Sequence, residues 1–210
     1  MMNTWLSIRT FIQVSLILCA LFTLTACGSS SDLPRLSSNA VILSFGDSLT
    51  RGKGAEDHQS YPAVLQALTK RKVINAGING EISEHGLNRL PALLDQHSPD
   101  LLILCHGGND ILQKRDLNRM GENVRKMISL AAERDIPVVL LGVPRPGLFL
   151  SSADIYEEIA DTMGVVFIED LIPDVLSDKS LKSDVAHPNQ HGYERIAKSI
   201  YDVLQDLGAI

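Results

Sequence analysis

The sequence predicts an α/β sandwich built on a largely parallel sheet. Short, continuous apolar segments, typical of strands buried on both faces, alternate with longer segments that carry apolar residues at helical spacing. Such alternation favours strand–helix–strand units, which produce parallel sheets. The chain has 210 residues, so a single domain of this kind is expected.

The predicted elements follow one another in regular order. Five apolar segments of strand length are predicted: VILSF (41–45), KVINA (72–76), LLILC (101–105), PVVLLGV (137–143) and GVVFI (164–168). Five segments with helical apolar spacing lie between and after them: SYPAVLQALTKR (60–71), GLNRLPALLDQH (86–97), LNRMGENVRKMISLAAERD (117–135), SADIYEEIADTM (152–163) and NQHGYERIAKSIYDVLQDL (189–207). The chain shows no internal repeat of the length that would indicate a solenoid.

Composition narrows the class of protein. The chain is 45% hydrophobic and 21% charged, with a formal net charge of -6 and no basic run. Nucleic acid is therefore not expected as a partner. Of the three cysteines, only Cys105 falls within the predicted domain, which excludes a disulfide there. Cys105 ends an apolar strand segment and is expected to be a small buried residue.

The N-terminus has the pattern of an export signal. An apolar run from 11 to 24 has the length of a secretory core, and Leu24-Thr25-Ala26-Cys27 resembles the lipobox of bacterial lipoproteins. We expect a signal peptide over 1–26, lipidation of Cys27, a flexible tether over 27–38 and the folded domain over 39–210. An uncleaved signal anchor is the alternative.

The resemblance to lipoproteins also implies a location. An exported, lipid-anchored protein of the bacterial cell envelope is expected. By the sorting convention of lipoproteins in general, Gly28 after the cysteine is compatible with the periplasmic face of the outer membrane in a Gram-negative host.

Small polar segments follow three successive strands. They are GDSLT (46–50), NAGING (75–80) and HGGND (106–110), and a fourth, SDVAHPNQHG (183–192), precedes the last helix. Ligand sites of open parallel sheets form at the carboxyl ends of the strands. We therefore expect these four segments to meet at one edge of the sheet.

The sequence does not fit three other kinds of site: a phosphate-binding loop, a lipase-type elbow and a metal site. A phosphate-binding Walker loop has four residues between its glycine and Gly-Lys-Ser/Thr, whereas five residues separate Gly46 from Gly52-Lys53, and Gly54 has no hydroxyl. The Gly-x-Ser-x-Gly elbow fails because residue 50 is Thr. The six histidines are scattered, without HExxH or paired cysteines, so no metal site is predicted.

A nucleophilic role for Ser48 requires partners, and the sequence supplies them. A serine hydroxyl needs a base, best a histidine oriented by a carboxylate. Asp184 and His187 are three residues apart, a spacing that a turn closes to about 7 Å between α-carbons. Oxyanion donors are available from the Ser48 and Gly80 backbones and the Asn109 amide.

These blocks resemble those of the SGNH (GDSL) hydrolase family. Gly46-Asp47-Ser48-Leu49, Gly80, Gly107-Gly108-Asn109-Asp110 and Asp184-x-x-His187 stand in the family's order, and the similarity spans about 40 to 205. The stretch from Asn75 to Asp110 is particularly similar to the thioesterase I/lysophospholipase and arylesterase branch.

The resemblance implies a flavodoxin-like three-layer α/β/α sandwich with a mostly parallel five-stranded sheet. It implies Ser48 as nucleophile, His187 as general base and then acid, and Asp184 as its orienter. It also implies an oxyanion hole formed by the Ser48 N–H, the Gly80 N–H and the Asn109 side chain. No metal or cofactor is implied.

The expected function is hydrolysis of acyl esters, thioesters or lysophospholipids through an acyl-Ser48 intermediate. The expected partners are a small acyl-ester or lysophospholipid substrate and, through the lipidated N-terminus, a membrane. Two alternatives stay open: a carbohydrate O-deacetylase, and a non-catalytic lipid- or glycan-binding lipoprotein.

Two features depart from the branch. His106 stands where an apolar residue is usual, either as a strand-end histidine bonded to backbone or as a residue that lines the site and alters substrate preference. The segment 144–152, PRPGLFLSS, also differs from the branch in length and composition. Three interpretations of Leu148, Phe149 and Leu150 stay open: these residues form an acyl-chain wall, touch lipid or pack locally. Asp47 is expected to accept loop N–H groups, and Asp110 to cap the next segment.

Overall fold

A computed structural model describes residues 33–145 and 150–210 and confirms the α/β class. The strands are β1 (Val41–Gly46), β2 (Lys72–Gly77), β3 (Leu101–Cys105), β4 (Val138–Leu141), β5 (Pro144–Arg145), β6 (Ser151–Ser152) and β7 (Val166–Ile168). The helices are α1 (Ser48–Arg51), α2 (Tyr61–Thr69), α3 (Ser83–His97), α4 (Gly108–Leu112), α5 (Leu117–Ala132), α6 (Ile155–Met163), α7 (Leu171–Ser177) and α8 (Gln190–Asp206).

Five strands form one parallel sheet in the order β2-β1-β3-β4-β7. This is the flavodoxin-like order, in which the strand sequence reverses between β1 and β3 and leaves a crevice at their carboxyl ends. Every residue of β3 and β4 is buried, whereas the edge strand β2 is only partly covered. The continuous apolar runs of the sequence thus correspond to the interior strands.

The helices pack in two groups, which complete the three layers. Helix α2 packs against α8 in one group, and α5 packs against both α3 and α6 in the other. Tyr61 and Tyr193 are fully buried and lie in α2 and α8. The three-layer prediction is therefore correct.

The structure differs from the prediction after β4. The expected strand at 137–143 ends at Leu141, and Pro144–Arg145 pairs antiparallel with Ser151–Ser152 as a short hairpin. Helix α6 therefore begins at Ile155 rather than at residue 152. Helix α7 was not predicted. Its proline, Pro173, occupies the first turn, where a missing N–H costs no intrahelical bond.

The packed domain begins earlier than the predicted boundary at 39. Leu33 and Leu36 are buried against the core, and the Leu36 N–H donates to the Ala209 carbonyl at 2.7 Å. Residues 33–38, predicted to be tether, therefore belong to the domain. The predicted signal peptide (1–26) and Cys27 lie outside the described residues. Within the described ranges, no helix has the length and apolarity needed to cross a membrane.

Candidate active site

Ser48 lies directly after β1, at the crevice created by the strand order. The chain turns at Asp47, whose Oδ1 accepts the Leu49 N–H at 3.0 Å and caps the short helix α1. Ser48 is the first residue of that helix and is largely buried. Asp47 thus accepts loop N–H groups, as predicted.

Two predicted partners lie in line with the Ser48 hydroxyl. Ser48 Oγ is 3.0 Å from His187 Nε2. On the other side of the ring, His187 Nδ1 is 2.9 Å from Asp184 Oδ1 and 2.8 Å from Oδ2. The three side chains are separated by up to 139 residues in the sequence and form a continuous hydrogen-bonded relay. Such a relay can remove the serine proton and stabilise the imidazolium that results.

The loop that carries the relay is fixed by its own backbone. Asp184 Oδ1 also accepts the N–H groups of Ala186 and His187, at 2.8 and 2.9 Å. Partial burial raises the pKa of the Asp184 carboxyl, but these N–H groups and the contact with His187 outweigh it, so the pKa lies below its usual range. The carboxylate therefore stays ionised and keeps the ring oriented.

Of the predicted oxyanion donors, Asn109 lines the cavity beside Ser48, whereas Gly80 is not among the residues that line it. The Asn109 amide nitrogen is 3.0 Å from the Glu81 carbonyl oxygen and 3.2 Å from Asp47 Oδ2, so both of its hydrogens are engaged. Donation to a substrate oxygen therefore requires sharing or release of the longer bond, the one to Asp47.

Gly80 lies in the turn that follows β2. The Glu81 N–H donates to the Ile78 carbonyl at 3.3 Å and closes a four-residue turn in which Gly80 has a φ of 75°. This positive φ at the third position of a turn favours glycine. Gly80 precedes the residue whose carbonyl holds Asn109, so the two proposed donors belong to adjoining parts of the chain.

Asp47 is buried next to Ser48, on the side of Asn109. Burial raises the pKa of its carboxyl above the ordinary value, opposed by the neighbouring His106 and by the Leu49 N–H. Its oxygens face Leu49 and Asn109. It therefore links the Ser48 turn to the Asn109 amide.

Asp110 does not cap the segment that follows it, which corrects the prediction. Its Oδ2 accepts the Ser83 N–H at 2.7 Å, and its Oδ1 accepts the Ser83 hydroxyl at 2.8 Å. Asp110 thus satisfies the start of α3, an earlier helix, because the fold brings α4 beside it. The cap of α5 is Asp116, which accepts the N–H groups of Asn118 and Arg119.

His106 is buried and does not line the cavity. Its Nδ1 accepts the Gly107 N–H at 2.9 Å, and its Nε2 lies 3.1 Å from Glu81 Oε2. The strand-end interpretation is confirmed, with a carboxylate as an additional partner. Glu81 and Arg89, which binds it, were not predicted to be site residues. The feature of the sequence that could have indicated them is a pair of opposite charges, with Glu81 just before the start of a helix and Arg89 within it.

A cavity of about 320 Å³ opens beside Ser48 and His187. Apart from the polar residues of the site, its walls are mostly apolar: Leu49, Leu112, Val143, Pro144, Leu150, Leu176, Val185 and Ala186. Leu150 thus lies where an acyl-chain wall was expected, whereas Leu148 and Phe149 lie outside the described residues. Arg145 stands at the same cavity and pairs with Asp154 at 3.3 Å.

No cluster of three metal-ligating side chains occurs in the part of the chain that the structure describes. Cys105 is a buried free thiol at the end of β3, as expected. Burial raises the pKa of this thiol well above its ordinary value. It is therefore inert as a nucleophile at neutral pH.

Sequence comparison finds relatives of this chain among known proteins. The profile of the GDSL-like Lipase/Acylhydrolase family matches residues 44–195. An arylesterase of Vibrio mimicus is 32% identical over 174 residues, which cover 78% of this chain and 87% of the relative. The thioesterase 1/protease 1/lysophospholipase L1 of Escherichia coli (strain K12) is 29% identical over 175 residues, covering 80% of this chain and 84% of the relative.

Solved structures share the architecture. The crystal structure of the psychrotrophic esterase EstA from Pseudoalteromonas sp. superimposes with a TM-score of 0.73, covering 80% of this chain and 98% of EstA. The two are 23% identical, so this likeness establishes the fold alone.

Proposed function

The chain belongs to the GDSL-like lipase/acylhydrolase family, also called SGNH hydrolases, and from this premise we propose that it hydrolyses carboxylic esters through an acyl-Ser48 intermediate. The observation that carries the proposal is the relay at the carboxyl edge of the sheet. Ser48 Oγ lies 3.0 Å from His187 Nε2, and Asp184 lies 2.8 Å from the far side of the same ring.

The relay supports a two-step acyl transfer. His187 Nε2 accepts the Ser48 proton as Oγ attacks the ester carbonyl carbon, and the carbonyl oxygen becomes an oxyanion. As the intermediate collapses, the bond to the leaving oxygen or sulfur breaks, and His187 returns the proton to that group. A water molecule, deprotonated by His187, then attacks the acyl-Ser48 carbonyl. The bond to Ser48 Oγ breaks, His187 returns the proton to Oγ, and the acid and the free serine are released.

The oxyanion is proposed to be held by the Ser48 N–H, the Gly80 N–H and the Asn109 amide. Ser48 begins α1, where backbone N–H groups have no intrahelical acceptor. A bond to the Glu81 carbonyl holds the Asn109 amide at the turn that contains Gly80. Removal of one such donor typically lowers kcat by about 10²–10³-fold.

The cavity favours an apolar acyl group as the substrate part. Six of its lining side chains are leucine or valine. Each methylene of an acyl chain that these walls remove from water makes the free energy of binding more favourable. We propose acyl esters of the arylesterase, thioesterase or lysophospholipase type, the classes named for the relatives. An acetylated sugar, the substrate of a carbohydrate O-deacetylase, offers these walls only a methyl group.

Hydrolysis of a p-nitrophenyl ester series from acetate to palmitate tests the proposal. The protein is compared with Ser48→Ala, and an acetylated sugar is assayed beside the series. Turnover that rises with chain length and disappears in Ser48→Ala is expected. A folded protein that turns over only the acetylated sugar would favour the deacetylase, and one that turns over no ester would favour a binding protein.

We further propose that the protein is an exported lipoprotein, anchored through Cys27 to the bacterial cell envelope at the periplasmic face of the outer membrane. The support is the sequence Leu24-Thr25-Ala26-Cys27 after an apolar run, followed by Gly28. Metabolic labelling with radioactive palmitate is expected to mark the protein in the membrane fraction. A Cys27→Ser variant that is labelled equally would contradict the proposal.

A further inference from the structure

Behind the proposed oxyanion donors lies a hydrogen-bonded cluster of the buried Glu81 and His106 and the partly exposed Arg89. Glu81 is 7% exposed and His106 is 0% exposed. Buried charges are costly unless they are paired and hydrogen-bonded. A cluster of this kind next to the candidate site, but outside its cavity, calls for a physical reason.

Arg89 binds the Glu81 carboxylate with two nitrogens. Its Nε is 2.7 Å from Oε1, and its Nη2 is 2.6 Å from Oε2. The same Nη2 lies 2.8 Å from the Ala76 carbonyl oxygen and 3.2 Å from that of Gly46. The guanidinium also stacks 4.1 Å above the Phe45 ring. Arg89 thus ties the Glu81 turn to the carboxyl ends of β1 and β2.

His106 supplies the third contact to the same carboxylate. Because its Nδ1 accepts the Gly107 N–H, the ring proton lies on Nε2 and is donated to Glu81 Oε2 at 3.1 Å. A glycine at 86 makes room for the ring, since a Cβ there would lie 2.3 Å from Nε2. The Gly107 bond places this histidine at the start of the segment that carries Asn109.

The Glu81 backbone faces the site while its side chain is held from behind. Its carbonyl accepts one hydrogen of the Asn109 amide at 3.0 Å, and Gly80 is its chain neighbour. Burial raises the pKa of the Glu81 carboxyl, but the bonds from His106 and Arg89 outweigh it and lower the pKa, so the carboxylate stays charged. The Glu81 side chain therefore fixes a residue whose own carbonyl binds Asn109 and whose chain neighbour is Gly80.

We propose that Glu81 is a positioning residue, clamped by Arg89 and His106, that fixes the Gly80 N–H and the Asn109 amide in the oxyanion hole. It does not touch the substrate, because its side chain lies away from the cavity. The inference rests on the proposed function and extends it to residues outside the relay. It also gives His106 a role through Glu81 rather than through substrate preference.

Glu81→Gln tests this role because it removes the charge and keeps the shape. The matched control is Glu158→Gln, since Glu158 also binds an arginine, Arg125, at 2.7 Å, but on the surface. Activity is measured on a p-nitrophenyl ester, and active sites are counted by the p-nitrophenol released when a p-nitrophenyl phosphonate reacts with Ser48. Counting sites separates loss of catalysis from loss of folded protein.

The expected result for Glu81→Gln is a fall in kcat per active site of about tenfold, a fraction of the loss caused by removing a donor outright. KM and the pH midpoint of kcat/KM stay at the parent values, because the cavity and the relay are unchanged. Glu158→Gln keeps the parent kcat. His106→Leu lowers kcat in the same direction, and by less when Glu81 is already Gln, because both act through one carboxylate.

Gly86→Ala provides a second route if Glu81→Gln does not fold. It displaces the His106 ring without removing a charge and is expected to lower kcat in the same way. An unchanged kcat per active site in Glu81→Gln and Gly86→Ala, with only a lower melting temperature, would reduce the cluster to a structural role. An inactive parent would instead contradict the proposed function, so the two failures are distinguishable.

Discussion

On one side of Ser48, the loop from Asp184 to His187 is held by bonds to itself. On the other side, Asn109 is held by bonds to residues 28 and 62 positions away. The loop side is open to solvent, with Val185 89% exposed at its tip, whereas Asp47 and Glu81 on the donor side are buried. The group that moves protons thus sits on a local turn, and the groups proposed to hold charge sit on tertiary contacts.

Because of this difference, changes on the two sides are expected to affect activity and stability differently. A change on the loop side removes few contacts with the rest of the domain, so it is expected to lower activity while the fold persists. A change on the donor side breaks bonds between distant segments, so it is expected to lower both. The following experiments test that contrast, from the largest expected effect to the smallest.

His187→Ala is expected to lower kcat by about 10⁴–10⁶-fold, because the serine then has no base. The melting temperature is expected to stay close to that of the parent, since the ring contacts mainly Ser48 and Asp184. Ester hydrolysis and calorimetry on the same sample check both statements. A large fall in melting temperature would break the contrast on the loop side.

Asn109→Ala is expected to lower kcat by about 10²–10³-fold, the usual cost of losing an oxyanion donor. It also leaves the Glu81 carbonyl and Asp47 Oδ2 without a partner, so stability falls as well. Steady-state kinetics with urea unfolding measures the pair of effects. Parent stability in this variant would show that the donor side is not held as described.

Asp110→Ala is expected to lower the free energy of unfolding by about 1–3 kcal/mol or more, because the buried Ser83 N–H loses its acceptor. The matched control is Asp202→Ala, whose carboxylate pairs only with Lys198 on the surface and is expected to change stability by less than about 0.5 kcal/mol. Urea unfolding of both variants measures their losses in the free energy of unfolding. Equal losses in the two variants would contradict the special role of the donor side.

Glu81→Gln is expected to show a stability difference from the parent that depends on pH. The pKa of Glu81 is lowered on folding, so its carboxylate stabilises the fold above the unfolded pKa of about 4.3. That contribution is lost as the pH falls through the folded pKa. Thermal unfolding from pH 7 to pH 3 should therefore show a difference at neutral pH that shrinks in acid.

Val185→Ser is expected to have the smallest effect. The side chain is exposed at the mouth of the cavity, so stability should change by less than about 0.5 kcal/mol. The loss of apolar contact should lower the preference for long acyl esters over acetate by about tenfold or less. Comparison of kcat/KM along the ester series detects it. A stability loss larger than that of Asp110→Ala would reverse the proposed contrast.

The same contrast decides what could be predicted from the sequence. The Asp184–His187 pair was predictable because three residues and one turn determine its geometry. The strands were predictable because a strand that is buried on both faces has a continuous run of apolar residues, as in Leu101–Cys105. The Glu81–Arg89–His106 cluster was not predicted, because its bonds depend on where the Gly80 turn, α3 and β3 meet.

Two errors have the same physical origin. Asp110 was assigned to the next segment, but tertiary packing offered it the unsatisfied start of α3 instead. The hairpin Pro144–Arg145 with Ser151–Ser152 was missed because two-residue strands carry no periodic signal. Their pairing follows from the return of the chain between β4 and α6.

The contact between Leu36 and Ala209 fixes the point at which the chain enters the domain. Leu36 lies before β1, beside Arg71 at the start of β2, so the chain enters the domain at the amino edge of the sheet. The six residues of β1 then separate this entry point from Ser48 by about 20 Å. Anything attached at the N-terminus would therefore join the domain at the edge of the sheet opposite Ser48.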